Sequence, residues 1–169
     1  MKKFLFLITI VMYSYFLFPQ TYNIDNYFKA YFPAKPIQIS SQLIKGIKQI
    51  SYSYTDEDNV ISYKGAYSIL KTKIKATDNE LYLNIFLEGQ ANPANGKIMK
   101  KQFVKHNDND AVIYFIKYEL EGETINKYGI TVIKNNLLYN WAVQEILNYS
   151  KLNAENIFNN NLKYFKILK

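Results

Sequence analysis

The sequence predicts an α+β fold: a single twisted antiparallel sheet of about six or seven strands with two helices packed on it. Three observations lead to this prediction. Apolar and polar residues alternate in two stretches, 50–55 and 61–69, on either side of an acidic turn, which is typical of a hairpin. Three short turns divide the later residues 97–143 into four more alternating stretches. Two segments, 78–89 and 152–162, favour helix.

The N-terminal strands are predicted from prolines and from the alternation of side chains. A first strand over 27–32 ends at Pro33. Pro33 and Pro36 then force an extended path, because each proline fixes its own φ and restricts the residue before it. In the hairpin that follows, the aromatic and aliphatic side chains of 50–55 and 61–69 lie on one face of the sheet and the Ser, Thr and Lys side chains on the other.

The first helix is predicted from Asp78 to Gly89. Thr77 and Glu80 have the spacing of a capping box, in which each side chain bonds the backbone of the other. The alternation of Leu81, Leu83 and Ile85 keeps a strand open as the alternative. The second helix is predicted from Leu152 to Leu162, capped by Ser150 or Asn153.

The C-terminal strands form a predicted antiparallel meander, since only short turns separate them. We expect strands over 97–105, 111–120 and 124–133, and a fourth strand that places Leu137, Tyr139, Trp141 and Val143 on one apolar face. The tail, with Tyr164, Phe165, Ile167 and Leu168, is expected to pack back on the sheet.

The first twenty residues have the pattern of a secretory signal peptide. Lys2 and Lys3 precede an almost unbroken apolar run from Phe4 to Phe18, and Pro19 and Gln20 close it. We therefore expect residues 1–20 to be a signal peptide and residues 21–169 to form a single α+β domain, located in the periplasm or outside the cell. The residues at the end of the apolar run lack the small side chains of a typical signal-peptide cleavage site. An uncleaved leader that anchors the protein in a membrane is therefore the alternative.

Composition narrows the classes of partner and chemistry. The formal net charge is +7, every basic residue is Lys, and the lysines are scattered along the chain. Because bidentate recognition of bases and phosphates favours the Arg fork, no nucleic-acid partner is expected. The absence of cysteine excludes disulfide bonds and a lipid-modified cysteine anchor. With a single histidine and no G-x-S-x-G motif, the sequence indicates no metal, no cofactor and no serine nucleophile.

One basic stretch is a candidate binding surface. Lys97, Lys101 and Lys105 share one face of a predicted strand, with Phe103 and Met99 between them. Such a surface could bind an acidic partner or lipid headgroups. Lysines also protect an exposed edge strand from pairing with another chain, and we favour this second interpretation.

The carboxylates offer two weaker candidates. Asp108 and Asp110 have the spacing of the first two ligands of a calcium loop, but Ile113 stands where that loop requires glycine, so an ordinary turn is favoured. Glu119, Glu121 and Glu123 cluster at a hairpin end, where solvated charges are more common than an acid–base pair. A hydrolase that uses Asp108, Asp110, Glu119 or Glu121 remains the catalytic alternative.

Two other residues, His106 and Trp141, are weaker candidates for a functional site. His106 lies at a predicted turn, and a solvated histidine is the favoured interpretation. Trp141 could line a ligand pocket, although its place in an apolar alternation favours the core.

The order of the elements resembles a known group. An opening strand ends in Phe-Pro-x-x-Pro at 32–36, a Tyr-rich hairpin, a helix and a meander follow, and an Asn-Leu-Leu-Tyr step at 136–139 precedes a closing segment with Phe158 and Phe165. This resembles small exported bacterial proteins of the PsbP-like α/β/α sandwich group. The resemblance implies a sandwich fold and a binding or assembly role, and it implies no active-site residue.

These observations together predict an exported protein of the bacterial envelope without catalytic activity. Its expected partner is an envelope protein, a lipid or a small ligand, and contact with the membrane is expected only through the N-terminal segment.

Overall fold

The computed structural model describes residues 20–44, 47–56, 60–92, 95–147, 149 and 152–169. The predicted signal peptide, apart from Gln20, and the predicted cap Ser150 lie outside these residues. Within them, no helix combines the length and the apolar character needed to cross a bilayer.

The described residues form ten strands and two α-helices. The strands are β1 (Thr21–Ile24), β2 (Phe28–Tyr31), β3 (Ile37–Ile44), β4 (Ile47–Thr55), β5 (Ile61–Ile69), β6 (Lys97–His106), β7 (Asn109–Leu120), β8 (Glu123–Lys134), β9 (Leu137–Ile146) and β10 (Lys166–Ile167). The helices are α1 (Asn79–Ala91) and α2 (Ala154–Asn161).

The strands form two antiparallel sheets. The larger sheet has seven strands in the order β3-β4-β5-β9-β8-β7-β6, so β3 and β6 are its edges. The smaller sheet has three strands in the order β1-β2-β10. The α+β class, the central hairpin and the four-strand meander are confirmed. The prediction of a single sheet is wrong, because β1, β2 and β10 pair with one another in a separate sheet.

Both helices lie close to their predicted positions. The predicted cap of α2 is present, and the predicted cap of α1 is not. In α1 the buried side chains are Leu83, Leu87 and Ala91, which recur every four residues along one helix face. Leu81 and Ile85, which a strand would place on the same face as these residues, are exposed. The capping box is absent: Asp78 is the N-cap residue and no side chain caps the helix. In α2 the side chain of Asn153 accepts a hydrogen bond from the backbone N–H of Asn156 at 2.9 Å, as expected for a cap.

The two faces of the larger sheet have different coverings. We call the face that packs against the smaller sheet and α2 the aromatic face, and the opposite face, on which α1 packs, the α1 face. Because successive side chains of a strand point to opposite faces, Trp141 of β9 lies on the aromatic face and its neighbours Asn140 and Ala142 lie on the α1 face.

Rings fill the aromatic face. Trp141 stacks on Phe158 of α2 with ring centroids 5.4 Å apart, and its indole N–H donates to the carbonyl of Tyr31 at 3.1 Å. Phe165 of the tail lies against the same indole ring at 6.4 Å. All three rings are at most 2% exposed, so this layer is the main core of the molecule and the tail packs as predicted.

Candidate functional site

The α1 face is covered unevenly. Helix α1 packs on β6, β7 and β8, and its buried residues join an apolar cluster on those strands and the neighbouring end of β9. Beyond the helix, the same face continues across β9, β5 and β4 to β3. There its side chains are mainly polar or short, as in Ser51, Ala66 and Asn140.

A cleft of about 210 Å³ opens at the boundary between the covered and uncovered parts. We call it the lysine cleft. Its walls are Phe86 and Gln90 of α1 on one side and Ile39 of β3 on the other. Its floor and rim comprise Ser51, Lys64, Ala66, Lys127 and Asn140.

Strand register explains why two lysines meet in this cleft. Lys64 of β5 pairs with Ala142 of β9, and Ala142 pairs in turn with Gly129 of β8. Lys127 lies two residues before Gly129 and therefore on the same face. Lys64 is thus beside Ala142, and Lys127 is one step further along β9, beside Gln144, on the same face of the sheet.

Lys127 is buried and held by a neutral partner. The residue is 8% exposed, and its Nζ donates to Oε1 of Gln90 at 2.6 Å. Burial and, secondarily, the charge of Lys64 together lower the pKa of the Lys127 ammonium from 10.5 to about 8. A buried ammonium whose fixed partner is an amide keeps most of its charge uncompensated.

Lys64 is half-buried at the same cleft, and burial lowers the pKa of its ammonium. In the part of the chain that the structure describes, no carboxylate forms an ion pair with Lys64 or Lys127. The cleft therefore carries two cations and no described countercharge.

The floor beside the lysines is a fixed polar network. The side-chain amide of Asn140 donates to the hydroxyl of Tyr114 at 2.8 Å and to that of Thr131 at 3.0 Å. Gly129 makes room for this arrangement, because a Cβ there would lie 2.4 Å from the Tyr114 ring. Nearby, the Tyr118 hydroxyl donates to Oε1 of Gln144 at 3.1 Å. The floor is thus held by partners within the protein rather than left to rearrange.

The predicted basic strand is an edge strand, far from this cleft in the sheet order. It is β6, at the opposite edge from β3. A register shift between Ile98 and Lys100 places Lys97 on the aromatic face, whereas Lys101 lies on the α1 face. The expectation that all the lysines of this strand share one face is therefore wrong for Lys97.

The remaining residues of the basic strand have local partners. Lys101 donates to Oδ1 of Asn84 at 2.8 Å, and its ammonium lies 6.0 Å from the centroid of the Phe103 ring. Lys105 forms an ion pair with Asp110 at 2.6 Å. A binding role for Lys97, Lys101, Phe103 and Lys105 stays a prediction, while the edge position suits the favoured protective role.

The candidate carboxylates form two pairs at opposite ends of β7. Asp108 and Asp110 lie at the start of β7, and Glu119 and Glu121 lie at its other end. A strand of 12 residues is roughly 40 Å long. The described residues contain no group of three or more His, Asp or Glu side chains that could hold a metal ion. Hydrogen bonds from Lys105 and, secondarily, Asn79 lower the pKa of Asp110.

His106 and Trp141 are structural residues. Nε2 of His106 is 2.6 Å from the carbonyl oxygen of Phe165, and the two rings stack with centroids 5.5 Å apart. The prediction of a solvated turn histidine is wrong, because the tail returns across the end of β6. Trp141 is fully buried, as the core interpretation expected.

Sequence reasoning missed both lysines of the cleft. Lys64 occupies a polar position of the alternating stretch 61–69, which the pattern assigns to solvent. Lys127 offered a better signal, since it shares a strand face with Ile125 and Ile133. A lysine among apolar residues on one face indicates either a buried charge or an uncovered part of the sheet.

Comparisons with known proteins add little to this geometry. No protein-family model and no curated protein matches the sequence. Among solved structures, the chain is similar to a protein of unknown function from Pseudomonas aeruginosa, PA94, described as a putative regulator. The identity is 9%, the match covers 76% of this chain and 83% of that chain, and the TM-score is 0.40. Likeness at that level carries no argument about function, and the resemblance to PsbP-like proteins stays a prediction.

Proposed function

We propose that this protein is a non-catalytic binding domain of the bacterial envelope and that the lysine cleft is its ligand site. The observation that carries the proposal is the pair Lys64 and Lys127, which share a cleft of about 210 Å³ without a described countercharge. Uncompensated buried charge lowers stability, and such groups are commonly kept at sites where they bind something.

The walls of the cleft also favour binding of a small ligand. Phe86 and Ile39 offer apolar surface on opposite sides, while Gln90 and Ser51 offer polar atoms. Ligand sites typically combine apolar walls with a few convergent polar groups. Binding is favoured over carboxylate hydrolysis because Asp108 and Asp110 are separated from Glu119 and Glu121 by the length of β7.

The location is proposed from the sequence. Lys2 and Lys3 followed by the apolar run from Phe4 to Phe18 support export. We expect cell fractionation to recover the protein beyond the inner membrane with the mass of a chain that lacks its leader. A full-length mass in the membrane fraction would support the tethered alternative, and a full-length protein confined to the cytosol would contradict export.

Native mass spectrometry of the protein recovered from its own envelope tests the binding role. We expect a non-covalent adduct on the wild-type protein. Ser51→Trp should abolish this adduct, because Ser51 lines the cleft and an indole there would fill it. Ser41→Trp is the matched control, since Ser41 is an exposed serine of the neighbouring strand β3. An adduct that persists in Ser51→Trp, or no adduct on any of the three proteins, would contradict the proposal.

A further inference from the structure

The charge of the lysine cleft restricts what it can bind. Lys64 and Lys127 are the charged side chains that line it, and both are cationic. Lys127 already uses one of its donors on Oε1 of Gln90, which leaves its other N–H groups available. Among the described residues, none accepts a hydrogen bond from Lys64. Both lysines therefore have donors to offer to a bound anion.

We propose that the lysine cleft binds the phosphate group of a small ligand between the ammonium groups of Lys64 and Lys127. This inference rests on the proposed function and names the chemical class of its ligand. A phosphate monoester carries about −1.5 to −2 charges at neutral pH, which matches two ammonium groups better than a carboxylate does. Lysine is a common phosphate ligand and acts there as a point charge.

The surroundings of the two lysines favour a bound phosphate. The amide of Gln90 accepts from Lys127 through its oxygen, so its NH₂ group can donate to the same anion. The Ser51 hydroxyl lies in the same cleft. Phe86 and Ile39 also line the cleft and could contact an apolar part of the ligand.

Calorimetric titration at constant ionic strength tests the proposal with defined probes. Glycerol 3-phosphate, inorganic phosphate and acetate are titrated into the wild-type protein, Lys64→Met, Lys127→Met and the control Lys117→Met, an exposed strand lysine. We expect saturable binding of glycerol 3-phosphate to wild type and Lys117→Met, and binding at least tenfold weaker to both cleft variants. Circular dichroism checks that each variant is folded, which is expected because the two cleft substitutions each remove one of two repelling charges and Lys117 is exposed.

A second arm separates the two sources of a phosphate group. Vesicles of phosphatidic acid in phosphatidylcholine are tested against the same four proteins. Vesicle binding that requires Lys64 and Lys127, without binding of glycerol 3-phosphate, would support the proposal with a lipid headgroup as the source. Binding of glycerol 3-phosphate alone would support it with a soluble ligand.

Three outcomes would overturn the inference. The first is that the wild type shows no saturable binding of any phosphate probe. The second is that Lys64→Met binds the phosphate probes as tightly as the wild type does. The third is that acetate binds as tightly as the phosphates. If the first outcome occurs but Ser51→Trp still removes a native adduct, the proposed binding role stands. Only the inference that the ligand carries a phosphate group is then rejected.

Discussion

The two faces of the seven-stranded sheet differ in the kinds of side chain that they bury. On the aromatic face, Trp141, Phe158 and Phe165 exclude solvent, and both phenylalanine rings pack on the indole of Trp141. On the α1 face, the helix covers one part of the sheet, and Lys64 and Lys127 remain beside it with neutral neighbours. The same alternation along the strands therefore builds a core on one side and a charged cleft on the other.

The two faces therefore contribute to folding stability in opposite directions. Burial of large rings stabilises folding, roughly in proportion to the apolar area removed from water. Burial of an unpaired ammonium opposes folding. We therefore expect substitutions on the aromatic face to lower the free energy of unfolding and removal of a cleft lysine to raise it.

The largest effect is expected on the aromatic face. Trp141→Ala removes the ring that stacks on Phe158 and the N–H that donates to the Tyr31 carbonyl. We expect a loss of about 3–5 kcal/mol in the free energy of unfolding, measured by urea denaturation. Trp141→Phe serves as a control that keeps a ring in place and should cost less. A loss below about 1 kcal/mol for the alanine variant would show that this layer is not the main core.

An effect of opposite sign is expected for Lys127→Met. The folded-state pKa of Lys127 is lowered from 10.5 to about 8, so between these values the unfolded state binds more protons and wild-type stability rises with pH. Below about pH 8 the full penalty is present, and it is on the order of 3 kcal/mol because one pKa unit corresponds to about 1.4 kcal/mol. We therefore expect Lys127→Met to be more stable than wild type at pH 7.

The pH dependence separates this electrostatic effect from simple packing. Urea denaturation at several values from pH 7 to pH 9.5 should show the advantage of Lys127→Met shrinking as the pH rises. The other titratable groups near Lys127 are Lys64 on β5 and Tyr114 and Tyr118 on β7. Burial lowers the pKa of Lys64 and raises the pKa values of the two tyrosines. Because both proteins contain these groups, their contributions largely cancel in the difference. A constant difference across this range would contradict the account.

A smaller loss is expected when the floor of the cleft is disturbed. A Cβ at position 129 would lie 2.4 Å from the ring of Tyr114, so Gly129→Ala forces that ring to move. We expect a loss of about 1–3 kcal/mol, the usual cost of overpacking. Gly89→Ala is the matched control, because a Cβ there meets nothing within 4 Å. Alanine in a helix interior should stabilise by roughly 0.5–1 kcal/mol. Equal effects of the two substitutions in thermal unfolding would contradict this view of the floor.

Much of the fold could be predicted from the sequence because strong local patterns produced it. The strands of the central hairpin and the meander follow clear alternation, and α1 and α2 lie close to their expected positions. The three missed strands, β1, β3 and β10, lack such signals, and β10 has only two residues. β1 has only four residues, and a register shift between Gln38 and Ser40 interrupts the alternation of β3.

The candidate site was harder to predict because it depends on what covers each strand. Alternation assigns Lys64 to a polar face of the sheet. It does not predict that residues of α1 will line a cleft next to Lys64 on that face. Lys127 comes from a strand two positions away in the sheet order, so only the topology brings it to Lys64. The same limitation affected His106, which the tail covers by a contact 59 residues distant in sequence.

The most direct test of the central claim is the titration of Lys127 itself, followed by NMR of protein labelled at the lysine Cε carbons. Lys127→Met assigns the signal. In the free protein we predict a pKa of about 8 for Lys127. Saturating glycerol 3-phosphate should raise that pKa by about one unit or more, because a nearby anion favours the charged ammonium. An unchanged pKa with the ligand present, or an ordinary value near 10.5 in the free protein, would contradict the claim.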